Sequence, residues 1–350
     1  MATIYIHVGA HKTATSSIQE GLKRYRTQLL LRGIQFPLLP GPNGDLMENH
    51  SCLMYSLFGD EPAKYHINVG HGITTTEAAL QLNAFYKECL TNEMNDFSGQ
   101  ALVLSGEDMI LLGDSGIRRL RSFLLARLGP GSTVKVICYL RAPHDWFSSL
   151  VQQVVRGGAA LEEAMTRRFP NIRTHIEPFV DHFGKSNIII RKFEDAIAHE
   201  GGPVGHFLTQ ISEGFDTSQI QSRSVNSGLS AEGVELVSAL NKAYAAAGKG
   251  PPVGVAREYL EPFLGIRGAK FVVPQAVQER VWQEARESLK WIESSFGISM
   301  YEEFKSIEPA GALWGENALL NVAELVLEKH RSCSGVRVES VDKSVSSRPT

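Results

Sequence analysis

The chain has 350 residues, 43% of them hydrophobic and 21% charged, and a formal net charge of −3. That length leaves room for one large α/β domain or two smaller ones, and the apolar share is ample for a sizeable core. The balance of charge argues against a surface that coats nucleic acid, and no apolar run approaches the ~18 residues of a membrane span.

The first strand starts almost at Met1 with no charged-then-apolar leader before it, so secretion is not expected. Ile4 to Val8 is a short apolar run of the kind that is buried on both faces in a parallel sheet. It breaks at Gly9, passes through a small polar loop with Lys12, and enters a helix near Thr15 that runs to about Leu31. Pro37 to Gly44 is turn-rich. Glu48 to Phe58 reads as a short helix, and Lys64 to Ile73 as irregular. Thr74 and Glu77 have capping-box spacing ahead of a helix that extends to about Met94. Ala101 to Ser105 is a second buried strand, Ile117 to Leu128 a helix stopped by Gly129-Pro-Gly131, and Thr133 to Arg141 a third strand. A helix follows with Pro143 in its first turn and runs through about Val155. Asn187 to Phe193 is a fourth strand. Alternating strands and helices predict an α/β fold: a parallel β-sheet flanked by helices on both faces.

From about residue 202 the pattern turns helical. Ser230 caps a helix to about Ala246 with Gly248 as its stop, Gln275 to Phe296 is a second, and Leu313 to His330 a third. The expected organisation is a single domain over 1–330 with a mobile, serine-rich tail over 331–350. Cys52, Cys89, Cys138 and Cys333 form no C-x-x-C pair and suit a reducing compartment. The eleven histidines show no metal-ligand spacing. A cytoplasmic protein without a metal site is the expectation.

The stretch from His7 to Ser17 carries the chemistry. A strand, a tight loop of small hydroxyl residues and a helix N-terminus make an anion site, because the first-turn N–H groups have no intrahelical partners and the helix dipole favours negative charge there. Lys12 adds a full positive charge, and Thr13, Thr15, Ser16 and Ser17 offer hydroxyl donors. The nucleotide-triphosphatase pattern needs a lysine directly after its second glycine. Here Gly9 is followed by Ala10, His11, Lys12 and Thr13, then Ala14, so that motif is absent. The run Lys12-Thr13-Ala14-Thr15-Ser16 resembles instead the 5′-phosphosulfate loop of sulfotransferases that use 3′-phosphoadenosine 5′-phosphosulfate (PAPS). Their pattern is Lys-[Ser/Thr]-Gly-Thr-[Thr/Ser], so Ala14 stands where they have glycine. The departure matters if that residue needs positive φ or a close backbone approach, whereas an alanine already inside the helix would do no harm.

A second element resembles the same family. Arg141 leaves the carboxyl end of the third strand, and Ser149 follows eight positions later on the next helix. In these sulfotransferases an arginine and a serine with that separation hold the adenosine 3′-phosphate, and a planar guanidinium fork suits a phosphate. The resemblance spans roughly residues 3 to 200. It implies a P-loop-like fold, PAPS as co-substrate, PAP as product, and a cofactor site made of Gly9, Ala10, His11, Lys12, Thr13, Ala14, Thr15, Ser16, Arg141 and Ser149. Lys12 would neutralise the leaving phosphate. Glu107, at the end of the second strand, is the first choice of base, and His50 the second. The acceptor is expected to be a small molecule, glycan or lipid bearing a hydroxyl or amine. The alternatives are a P-loop phosphotransferase of the small-kinase kind, or a PAP- or PAPS-binding protein without catalysis. Acceptor identity and oligomeric state are not legible in the sequence. Gly265 to Phe271 is a glycine-flanked basic loop, and the arginines at 118, 119, 121 and 127 read as the solvated face of their helix.

Overall fold

In the computed structural model the described residues are 2–10, 12–129, 131–217, 220, 228–248, 268–300 and 323. The helix expected at 313–330, the tail at 331–350, residues 265–267 of the basic loop, and His11 lie outside them. The chain divides into two compact units, one of Met1–Phe147, Arg168–Ser227 and Ala276–Ser306, the other of Ser148–Arg167, Gly228–Gln275 and Ile307–Thr350.

The first unit holds the sheet. Its strands are β1 (Thr3–Val8), β2 (Ile34–Gln35), β5 (Ala101–Gly106), β6 (Thr133–Leu140) and β7 (Ile188–Lys192), while β3 (Leu39–Pro40) and β4 (Leu46–Met47) form a separate antiparallel hairpin. The order across the main sheet is β2-β5-β1-β6-β7, and every pair is parallel. Ile4 lies opposite Leu102 on one side and Val134 on the other, which puts β1 at the centre. The helices of the first half are α1 (Thr15–Arg24), α2 (Arg26–Leu31), α3 (Ser51–Phe58), α4 (His66–Gly70), α5 (Thr76–Asp96) and α6 (Asp114–Leu125). Those that follow are α7 (Pro143–Arg156), α8 (Leu161–Met165), α9 (Ile172–Phe183), α10 (Phe193–Ala198), α11 (Gly202–Ile211) and α12 (Ala231–Ala246), then a long helix over Gln275–Phe296.

The strands read as unbroken apolar runs because both faces are covered. Tyr5, Val103, Ile137 and Tyr139 pack on Ile18 and Leu22 of α1 and on Val204, Phe207 and Leu208 of α11. Their neighbours Ile4, Ile6, Leu102, Leu104, Val136 and Cys138 point the other way, and none is more than 1% exposed. On that count the second face is sealed too, with α3 against β5 and α9 against β6 and β7. Each such Ile or Leu contributes about 1.5–3 kcal/mol over an exposed one.

Departures from the expected elements have local causes. The first helix is split at Tyr25 into α1 and α2. The cap of α5 is Thr75, whose hydroxyl accepts from the Ala78 N–H, one residue later than the capping-box spacing predicts. The stretch expected to be irregular, 64–73, contains α4, pinned by the fully buried Asn68. Its amide donates to Pro62 O at 2.8 Å and to Ser56 Oγ at 2.9 Å and accepts from Cys52 Sγ. In the second unit, Ser230 caps α12 as expected, its hydroxyl accepting from the Gly233 N–H at 3.0 Å. Asn241 on α12 donates to the carbonyls of Val155 and Ala159, and Gln152 accepts from the Leu229 N–H. Beyond residue 202 every long element among the described residues is a helix.

Candidate functional site

Parallel sheets bind ligands at the carboxyl edge of the strands, where the loops diverge. Here β1 sits between β5 and β6, so three strand ends lie side by side: Gly106-Glu107, Gly9-Ala10 and Leu140-Arg141. The Gly9 N–H extends the ladder to Gly106 O at 3.2 Å. From the opposite flank Arg141 Nη1 donates to the backbone oxygen of Lys12 at 3.3 Å. Within the first unit the structure therefore brings together the loop after β1, Glu107 on one side and Arg141 on the other.

The loop is built by an unusual backbone. Lys12 (φ 69°) and Ala14 (φ 61°) both take the left-handed conformation, the only two non-glycine residues among those described that do. Left-handed residues separated by an ordinary one curl the chain so that successive N–H groups turn toward one point, as in anion-binding nests. Ala14 is the N-cap of α1 and not part of it, with ψ 24°. Of the two cases the sequence left open, the first holds: the position takes positive φ, which costs a residue with a Cβ about 1–2 kcal/mol. α1 begins with no side-chain cap and no acid in its first turn, so nothing on its own helix competes with an external anion there.

Each loop side chain has a distinct place. Thr13 is buried and its hydroxyl donates to Ala10 O, which closes the turn. Ser16 is exposed, and Lys12 is half-buried. Thr15 is 3% exposed, and its Oγ1 is buried without a hydrogen-bond partner. Gly9 has to be glycine because of that hydroxyl: a Cβ there would sit 2.3 Å from Thr15 Oγ1.

Arg141 is mostly enclosed. Its guanidinium lies 4.9 Å from the Phe193 ring centroid, and burial pulls its pKa below the usual value while the charges of Asp145 and Glu194 push it back. An arginine stays protonated under such a shift. Its Nε is buried with no partner. Glu194 also accepts from the Ala142 N–H at 3.1 Å, which ties the start of α7 to the end of β7. Phe193 and Glu194 were missed in the sequence; the signal that could have found them is their place straight after a strand neighbouring β6. Ser149 lies half-buried on the part of α7 that belongs to the second unit.

Glu107 opens a 3₁₀ turn (Glu107–Leu111) directly after β5 and is half-buried. His50 has a different job. It is 1% exposed, and both ring nitrogens are engaged: Nδ1 accepts from the Ser105 N–H at 3.1 Å and Nε2–H donates to Pro37 O at 3.0 Å. With its own N–H on Ser105 O, His50 pairs with β5 where the two-residue β2 has ended. Burial holds its pKa down to about 4, so it is neutral and closed to solvent at pH 7. His7 is likewise core, with a pKa held near 3 by burial and Nδ1 bonded to Ser105 Oγ at 2.9 Å.

Thr15 Oγ1 and Arg141 Nε, two enclosed donors without protein acceptors, lie at the two places assigned to phosphates. Buried donors in a folded protein are otherwise paired, so these two are exceptions. Among the described residues no group of three His, Cys, Asp or Glu side chains is placed to hold a metal ion, and no helix is long and apolar enough to cross a membrane.

No protein-family model matches the chain, and no curated protein is similar to it. Among solved structures it is similar to a sulfotransferase from Alicyclobacillus acidocaldarius, with 17% identity and a TM-score of 0.37 over 64% of this chain and 85% of that one. That superposition is loose, and the resemblance to the family rests on the two loops.

Proposed function

We propose that the chain is a sulfotransferase that moves the sulfuryl group of PAPS to a hydroxyl or amine of an acceptor and releases PAP. The observation that supports this most is the contact between its two phosphate elements, Arg141 Nη1 to Lys12 O at 3.3 Å, each element contributing one buried donor without a partner. In this reading the first-turn amides of α1, Thr15 Oγ1 and Lys12 hold the 5′-phosphosulfate, and Arg141 holds the 3′-phosphate. Ser149 joins Arg141 on the strength of the sequence resemblance.

Donors fixed where charge develops contribute most to such a transfer. As the acceptor oxygen bonds to sulfur, the bond from sulfur to the bridging phosphate oxygen breaks, and negative charge grows on that oxygen. In this reading Lys12 and the amides stabilise it. The acceptor's proton goes to Glu107, across the loop from Arg141. His50 is not in this scheme, because its buried neutral ring already uses both nitrogens.

Thermal-shift titration with PAP, and with ATP plus Mg²⁺, tests the nucleotide. Stabilisation by ATP–Mg²⁺ and not by PAP would favour a phosphotransferase. Lys12→Ala tests catalysis: a large loss of sulfuryl transfer with PAP still bound supports an enzyme, whereas a wild-type chain that binds PAP and transfers nothing is a binding protein.

A further inference from the structure

Arg141 has an acidic neighbour in the first turn of α7. The charge of Asp145 acts on the guanidinium together with that of Glu194. A carboxylate that closed on Arg141 would make the two-pronged pair that arginine forms with oxyanions, and would compete with an incoming phosphate. Asp145 has not closed on the Nε edge, for that nitrogen is buried with no hydrogen-bond partner.

Between the two in the chain is His144, which is 4% exposed. The indole Nε1–H of Trp282 donates to His144 Nδ1 at 3.2 Å, with the two rings 27° from parallel. An indole nitrogen can only donate, so Nδ1 is the acceptor and the imidazole proton sits on Nε2. His144 Nε2 lies 3.6 Å from Asp145 Oδ2. Trp282 is buried too, on the helix over Gln275–Phe296, where Gln278, Val281, Ala285 and Leu289 are buried at helical spacing around it. Arg141, His144, Asp145 and Trp282 all belong to the first unit.

We propose that His144 is a positioning residue for the anion site: with its tautomer set by Trp282, it holds the Asp145 carboxylate off Arg141 and so keeps the guanidinium open to a phosphate. The inference rests on the sulfotransferase reading, in which Arg141 meets the 3′-phosphate, and deepens it by naming what keeps that arginine free. His144 acts through Asp145. Its Nε2–H gives the carboxylate a donor of its own, so Asp145 satisfies its charge without turning onto the guanidinium. Trp282 supplies the order of the relay. Without the indole donor the imidazole proton is free to move to Nδ1, and Nε2 would then present a lone pair to a carboxylate, which repels it.

The test has a binding arm and a spectroscopic arm. Binding is PAP affinity by calorimetry. His144→Phe keeps a flat ring beside Trp282 and removes the Nε2–H, and its PAP affinity is expected to fall about tenfold. Adding Asp145→Asn to it removes the competing charge and should bring affinity back to within about twofold of the wild type. Asp145→Asn alone should bind PAP as well as the wild type or better, because a negative neighbour of the anion is gone. A purely structural role for His144 predicts no such rescue. The spectroscopic arm reads the imidazole tautomer by two-bond ¹H–¹⁵N correlation without nucleotide, with His144→Phe identifying that ring among the eleven histidines. The Nε2–H form is expected in the wild type and a mixture in Trp282→Phe.

An Nδ1–H tautomer in the wild type, weaker PAP binding by Asp145→Asn, or a loss in His144→Phe that Asp145→Asn does not restore would each overturn the proposal. If His144→Phe fails to fold, Asp145→Asn and the tautomers of the wild type and Trp282→Phe decide. A wild-type chain that binds no PAP sinks the parent reading and this role with it, whereas normal PAP binding by both the wild type and His144→Phe sinks the role alone.

Discussion

Arg141 and Lys12 stand 129 positions apart in the chain, yet Arg141 Nη1 donates to the backbone oxygen of Lys12 at 3.3 Å. The bond exists because β1 and β6 are neighbours in register, so their loops leave the sheet together. Through it Arg141 fixes the left-handed Lys12 backbone, while its Nε is buried without a protein partner and is, in the proposed function, the group that meets the 3′-phosphate. Arg141→Lys keeps the charge and removes the fork. PAP affinity is expected to fall about 10–100-fold, equivalent to ~1.4–2.8 kcal/mol, by isothermal titration calorimetry. An unchanged affinity would mean that the guanidinium does not meet the ligand.

Ala14 holds a backbone conformation that glycine adopts freely. Ala14→Gly relieves about 1–2 kcal/mol of strain in the folded state and gives back part of it to the greater freedom of the unfolded chain. The net gain expected is about 0.5–1 kcal/mol, a rise in Tm of about 1–3 °C. PAP affinity should hold or improve, since the loop shape is the same. A lower Tm would show that the left-handed geometry is not retained in solution.

The sheet was legible because β1, β5 and β6 are uninterrupted apolar runs, a pattern that double-sided burial imposes. Pro143 and Ser230 marked their helix starts through fixed φ and a capping hydroxyl. β2 was not legible: two residues carry no periodicity, and what completes that edge is His50, a ring with no strand propensity. The loop after β1 was legible as a strand-to-helix turn but not in its geometry. Helix propensity alone puts Ala14 inside α1, and only the fold shows that the chain turns left-handed first. Glu194 and Phe193 at Arg141 come from a segment whose meeting with it depends on sheet order.

The contact between Gly9 and Thr15 makes a second stability test. A Cβ at position 9 would lie 2.3 Å from Thr15 Oγ1 and 2.8 Å from Thr15 Cγ2, and Thr15 is too enclosed to swing away. Gly9→Ala is expected to destabilise the fold by about 1–3 kcal/mol in urea titration. Thr15→Ala removes both clashing atoms, so the double variant should recover most of the loss, a strongly non-additive pair. It should also bind PAP more weakly than the wild type, because the unpartnered hydroxyl is gone. Additive losses would place the strain elsewhere in the loop.

Two buried neutral histidines predict how stability follows pH. His7 and His50 have pKa values held by burial near 3 and 4, against about 6.5 for an exposed imidazole. Their folded pKa values are depressed, so on acidification the unfolded chain takes up protons that the folded chain refuses. Stability is then full above about pH 6.5 and declines as pH falls through that value toward 4. Each histidine contributes a slope of at most ~1.4 kcal/mol per pH unit, or about 2 kcal/mol between pH 7 and pH 5. Urea unfolding across that interval should register the combined decline. His50→Gln will lower stability at pH 7, because the bonds to Ser105 N and Pro37 O are disturbed, but it should remove about half of the slope. A flat profile in the wild type, or an unaltered slope in His50→Gln, would show that these rings are reached by protons in the folded state.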